Sequence, residues 1–134
     1  AGMAAAIAQG KPALIDFTGF GCVNCRKMEA AVWTDPQVAD KLTKDYVLIS
    51  LFVDDKTPLP EPIHVKDAEG NPKTLRTVGD KWAYLEQTKF GALTQPFYVP
   101  VDNDGNPLNG SFSYKEDVPE FLEFLNKGLE NYRK

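Results

Sequence analysis

Metal ligands are scarce in this chain: two cysteines and one histidine among 134 residues. Structural zinc takes four ligands of the Cys and His kind, so the single histidine, His64, leaves an intrachain zinc site short of donors. Apolar runs are short, and none approaches the roughly 20 residues that cross a bilayer. Neither sign of charge dominates. The 15 Lys and Arg against 19 Asp and Glu give a net charge of -4, scattered along the chain, which speaks against nucleic acid or an anionic membrane surface as the main partner. The opening AGMAAAIAQGKP is without the basic start and apolar centre of a secretory signal. It reads as an alanine-rich helix stopped by Gly10 and Pro12, and the chain is expected to be a mature or excised piece.

What is present is an ordinary globular composition, 43% hydrophobic and 25% charged, over a length that suits a single domain spanning residues 1–134. A core of that size does not depend on a disulfide or a metal for its main support. The two cysteines nevertheless stand two residues apart in FTGFGCVNCRKME, Phe17 to Glu29. That spacing asks for a chemical reason.

The flanking pattern places the pair. ALIDF, after Pro12, is the apolar run of a buried strand, interrupted by one carboxylate, Asp16. From Cys22 to about Trp33, Val23, Met28, Ala31 and Val32 recur among charged residues as in a helix. Asp35 and Pro36 supply an N-cap and a first-turn proline for a second short helix, with Val38 and Leu42 inward. YVLISLFV, Tyr46 to Val53, predicts a central strand, so strand, helix and strand form a βαβ unit with parallel strands. Residues 54–79 read as a proline-rich insertion with a small hairpin around Glu69 to Pro72. A helix from Asp80 to about Phe90 follows, capped by Asp80 and stopped by Gly91. PFYVPV and LNGSFS predict an antiparallel hairpin about DNDGNP, and DVPEFLEFLNKGLENY an amphipathic helix with Val118, Phe121, Leu122, Leu125 and Leu129 on one face. Trp33, Trp82, Phe121 and Phe124 read as core, and His64 as a loop residue.

Cysteines at a strand-to-helix junction lie where chemistry on α/β folds concentrates. A helix N-terminus stabilises a thiolate on Cys22. Cys25, one turn on, is placed to attack a mixed disulfide formed there, so the pair would exchange two electrons, with Cys22 as exposed nucleophile and Cys25 as the more buried resolving thiol. A permanent small-ring disulfide, or two inert buried thiols, is the alternative. Asp16 is the candidate proton acceptor for Cys25, because a buried thiol must lose its proton before it attacks. Glu29 lies one helical turn beyond Cys25 and two beyond Cys22, on the same face; its other reading is a solvated helix residue. Ionised, the two carboxylates would repel a thiolate and raise its pKa, which favours a reductant over an aggressive oxidant.

LIDFTGFGCVNC, the apolar strand after it and the later TQPFYV together resemble the thioredoxin superfamily. Within it, CVNCRKMEAAVWTDPQVADKL is similar to the C-terminal periplasmic thioredoxin-like domains of DsbD-type thiol:disulfide interchange proteins. Those combine a C-V-x-C pair, a Glu four residues after the second cysteine and a D-P-x-V helix start. The likeness is close over Lys11 to Val53 and looser over Thr94 to Leu125. It implies an α/β thioredoxin fold, βαβ plus ββα around one mixed sheet, with a long insertion between the second strand and the proline strand. It implies a cis Gln95-Pro96 bond facing the cysteines, and a partner chain held by the backbone of Thr94 and Gln95 through strand-like hydrogen bonds. Phe20 and Gly21 stand where the family often has a Trp before the first cysteine, so the rim that meets a partner is altered.

The function implied by the resemblance is a protein-disulfide reductase that relays electrons through Cys22 and Cys25, with no bound cofactor and no metal. Its partners would be protein thiols and disulfides, above all other domains of the same membrane protein. Its place would be the periplasm, as a monomeric domain tethered to an inner-membrane part. Two further readings stand beside it: a free-standing periplasmic reductase serving cytochrome c maturation or cysteine repair, and a non-catalytic binding module with a structural disulfide and the insertion as its contact surface.

Overall fold

The computed structural model describes residues 2–67 and 69–133. Ala13–Thr18 forms strand β1, all six residues buried. It is flanked on both edges. Val47–Phe52, strand β2, runs parallel to it with Ala13 beside Val47 and Thr18 beside Phe52. The last strand of the sheet, Phe97–Val101, runs antiparallel with Phe17 beside Phe97 and Asp16 beside Tyr98. Two more strands intervene in the chain, so this one is β5, and the sheet order is β2-β1-β5.

The run Tyr46 to Val53, expected at the centre, is therefore the edge of this sheet, and β1 is its centre. Its apolar character comes from cover over both faces, which a hydrophobic run reports equally well. Val47, Ile49 and Leu51 pack with Ala6 of helix α1 (Gly2–Gln9), and Leu48 packs on the cluster that holds Leu42.

Alternation along β1 sends Leu14, Asp16 and Thr18 to one face and Ala13, Ile15 and Phe17 to the other. On the first face Leu14 meets Met28 of α2 (Val23–Ala31), Val38 of α3 (Pro36–Asp40), Tyr98, and Phe121, Leu125 and Leu129 of α5 (Val118–Arg133). On the second, Ile15 and Phe17 meet Ala6, Leu51, Phe97 and Val99, with Trp82, Leu85 and Phe90 of α4 (Val78–Phe90) against them. Each such side chain taken fully from water contributes about 1.5–3 kcal/mol. The sheet is thus held between two helical layers, with Trp33, Phe124 and Trp82 partly buried against them.

Local chemistry sets the helix ends. The Asp35 carboxylate accepts the N–H of Gln37 at 2.9 Å and of Val38 at 3.3 Å, and Pro36 fills the first turn of α3, which runs on into a π-helical turn over Lys41–Asp45. Helix α4 starts at Val78 with Thr77 as its cap, where Asp80 was expected. Thr77 Oγ1 accepts the Asp80 N–H at 3.0 Å and the Asp80 carboxylate accepts the Thr77 N–H at 3.2 Å. This reciprocal box satisfies two donors at once, which Asp80 as a lone cap would not. Gly91, at φ 69, ends α4 in the left-handed region.

Two expectations about strands change. The hairpin in residues 54–79 is much longer than the turn at Glu69 to Pro72: β3 (Pro58–Lys66) and β4 (Pro72–Thr77) form a separate antiparallel sheet, with His64 on β3. Its turn is held by the Asp67 carboxylate, which accepts the N–H groups of Glu69 and Asn71, each at 2.9 Å. LNGSFS, in contrast, makes a single bridge to β5 among the described residues, Phe112 with Tyr98, and a second bridge, Val101 with Pro107, falls at the end of the turn before it. Three steps along β5 there face five on the returning chain, and Pro107 has no N–H to extend the ladder.

Candidate functional site

Strands β1 and β2 run parallel and β5 antiparallel, so the loop after β1, the loop after β2 and the loop before β5 share one end of the sheet. These loops carry Cys22, Asp54 and Pro96. Cys22 is the N-cap of α2, its Sγ accepting the Cys25 N–H at 3.1 Å. Cys22 and Cys25 are joined in a disulfide with their Cα atoms 5.3 Å apart. Cys22 is partly exposed, whereas Cys25 is 1% exposed, the asymmetry that an attacking and a resolving thiol require. A thiolate on Cys22 would keep that N–H as a charge-assisted donor at the positive end of the helix.

The segment leading into Cys22 is clamped from the far side of the chain. The Asp54 carboxylate accepts the Phe20 N–H at 2.8 Å and the Gly21 N–H at 3.1 Å. Desolvation works to raise the Asp54 pKa, but these two donors, with Arg26, outweigh it and hold the group below the usual carboxylate range. Phe20 stacks on Phe52 with ring centroids 4.1 Å apart. Asp54 was missed in the sequence; its position directly after an apolar strand parallel to β1 was the only signal.

Asp16 lies 2% exposed on the α2 side of β1. Ser50 donates to its Oδ2 at 3.2 Å, while Oδ1 is buried without a hydrogen-bond partner among the described residues. Burial pushes its pKa up to about 7; the Ser50 hydroxyl opposes this, Glu29 adds to the rise and Arg26 subtracts from it. Glu29 is paired with Arg26 at 3.0 Å, and the same guanidinium donates to Thr18 Oγ1 at 3.0 Å. Asp16, Glu29 and α2 are thus brought together, with part of the Glu29 charge offset by Arg26, a residue that sequence reasoning passed over.

Before β5, the Gln95-Pro96 bond is cis. Thr94 is exposed, Pro96 is buried, and the Gln95 side chain turns inward, its Nε2 donating to Glu86 Oε1 at 2.9 Å. Glu86 was also missed, although a carboxylate midway between Trp82 and Phe90 on an otherwise apolar helix face is visible in the sequence. Three large apolar side chains stand out near these segments: Phe20 at 62%, Val23 at 66% and Leu93 at 58% exposure. Among the described residues no group of three His, Cys, Asp or Glu side chains is gathered to hold a metal.

The model of the thioredoxin-like family matches residues 1–76. The chain belongs to that family. Solved structures extend the likeness over most of the chain, between 94% and 96% of it in three of them. A DsbH oxidoreductase shares 14% identity at a TM-score of 0.63, with 96% of this chain and 79% of that one covered. A thioredoxin from Thermus thermophilus shares 21% at 0.64, covering 94% and 79%. The oxidised C-terminal domain of Neisseria meningitidis DsbD shares 16% at 0.60, covering 95% and 89%. At these identities the likeness is one of fold. Among curated proteins none matches in sequence. Fold and disulfide together make this a thioredoxin-like protein of the thiol-disulfide oxidoreductase kind.

Proposed function

We propose that the chain works as a protein-disulfide reductase, and that its setting is a periplasmic domain tethered to an inner-membrane electron-conducting part. The observation that carries the direction is the set of carboxylates on the segments that hold the pair: Asp16 buried on the α2 side of β1, Glu29 on α2 and Asp54 against the loop before Cys22. Negative charge there disfavours a thiolate, and a dithiol whose thiolate is little stabilised gives up its electrons more readily. The setting is supported by the DsbD-like string from Cys22 to Leu42 and by the fold it shares with a DsbD C-terminal domain.

The reaction balances within the pair and its partner. The Cys22 thiolate attacks one sulfur of the partner's disulfide, and the other partner sulfur leaves as a thiolate that takes up a proton. Cys25 gives its proton to the Asp16 carboxylate and attacks Cys22 Sγ, releasing the second partner thiolate. The chain is left as the Cys22–Cys25 disulfide found here, two electrons having passed to the partner. With its pKa near 7, Asp16 is ionised in enough molecules at neutral pH to accept that proton.

Cys25→Ala is expected to accumulate disulfide-linked partners through Cys22, visible on non-reducing gels. If both cysteines instead resist alkylation after mild reductant, the structural-disulfide reading replaces this one. Equilibration with glutathione is expected to give a potential nearer the about -270 mV of thioredoxin than the about -120 mV of a strong oxidant; a value at the oxidising end would reverse the proposed direction.

A further inference from the structure

Glu86 is a carboxyl group that no step of the exchange uses. Helical spacing puts it one turn from Trp82 and one from Phe90, both packed against the cluster of Ile15, Phe17 and Phe97. It is 0% exposed. Oε1 accepts the Gln95 amide, and among the described residues Oε2 is buried without a hydrogen-bond partner. An apolar side chain would fill the same space with no polar atom left unpaired, so a half-satisfied carboxyl here is a liability to stability. The end of α4 is tied to the same loop through its backbone, Gly91 N–H donating to Gln87 O at 3.0 Å and Ala92 N–H to Glu86 O at 3.4 Å. Gln95 immediately precedes Pro96 and β5. The carboxyl therefore anchors, from the core side, the segment whose backbone is offered to a partner.

We infer that Glu86 is a positioning residue for capture of an extended polypeptide at Thr94–Pro96. By holding the Gln95 side chain inward it fixes the main chain on which a peptide disulfide docks, whereas a small disulfide reaches Cys22 without that docking. This rests on the exchanger reading above and names the substrate class it favours, a disulfide within an extended protein segment.

The test uses the pre-reduced chain in single turnovers against two probes, a disulfide-containing extended peptide and hydroxyethyl disulfide. E86L is expected to lower the ratio of peptide to small-disulfide rate constants at least about tenfold, through the peptide concentration giving half-maximal rate and not through the maximal rate. E86Q, which keeps an oxygen acceptor for the Gln95 amide, is expected to stay within about threefold of wild type. An E86L ratio within about twofold of wild type, or equal losses in E86L and E86Q, would overturn the inference. Should E86L not fold, Q95L breaks the same hydrogen bond from the other side and is judged by the same ratio. A wild-type chain that reacts with neither probe sinks the exchanger reading itself, whereas an unchanged ratio in an active chain sinks only the role of Glu86.

Discussion

Asp16 and Glu86 are two carboxyl groups held out of water on opposite faces of one sheet, each with one oxygen hydrogen-bonded and the other without a partner among the described residues. Burial pushes both to about 7, from ordinary values of 3.8 and 4.5. Between about pH 4 and 7 the folded chain keeps protons that the unfolded chain has lost, so stability falls as pH rises through that window and levels off above it. Ionising either costs roughly 3–4 kcal/mol. The thermal midpoint is therefore expected to be lower at pH 8 than at pH 5, with the gap narrowed in D16N and in E86Q. Calorimetry at the two pH values measures it, and a gap that neither variant changes would show that other groups control it. Asp54 and Asp80 do not obscure the window: their pKa values are lowered, so what they contribute is lost only on acidification. D16N should in addition slow release of the mixed disulfide at pH 7 by roughly 100-fold or more, as loss of a positioned base does; quenched-flow gels would show the intermediate accumulating. D54A frees the N–H groups of Phe20 and Gly21 and removes a negative charge beside Cys22, so the Cys22 thiol is expected to titrate lower than in wild type, which a pH series of alkylation rates measures.

The helices that frame the site depend on a few contacts. Thr77→Ala removes the acceptor for the Asp80 N–H at the start of α4 and is expected to cost about 1 kcal/mol in denaturant unfolding. Because α4 carries Glu86, the same change should disturb the loop before Pro96 more than it disturbs α2. On α5, Gly128 lies where a methyl group would collide with the Tyr46 hydroxyl and the Pro100 ring. That hydroxyl donates to Leu125 O at 2.6 Å and ties α5 to the chain entering β2. Gly128→Ala is expected to lose about 1–3 kcal/mol through this overpacking, while alkylation of reduced Cys22 keeps its wild-type rate. A slowed Cys22 would mean that α5 packing reaches the site.

Across the molecule the two sheets differ in how firmly they are held. Every residue of β1 is buried, whereas β3 is exposed along most of its length. Hydrogen exchange is expected to protect β1 amides up to the free energy of global unfolding and to release β3 and β4 amides by local opening; equal protection in both sheets would contradict this. The cysteine pair, the βαβ unit, the cap at Asp35 and the stop at Gly91 were all legible along the chain, because spacing, capping and periodicity act between residues within a turn or two of one another. The placement of β1 at the centre was not: hydrophobicity tells whether a strand's faces are covered, while strand order depends on which edges meet. Nor was the clamp of Asp54 on Phe20, 34 residues apart, or the contact of Glu86 with Gln95. How far Asp16 and Glu86 are driven from their ordinary acidity was set by long-range packing, since desolvation belongs to the segments that cover a group and not to the group.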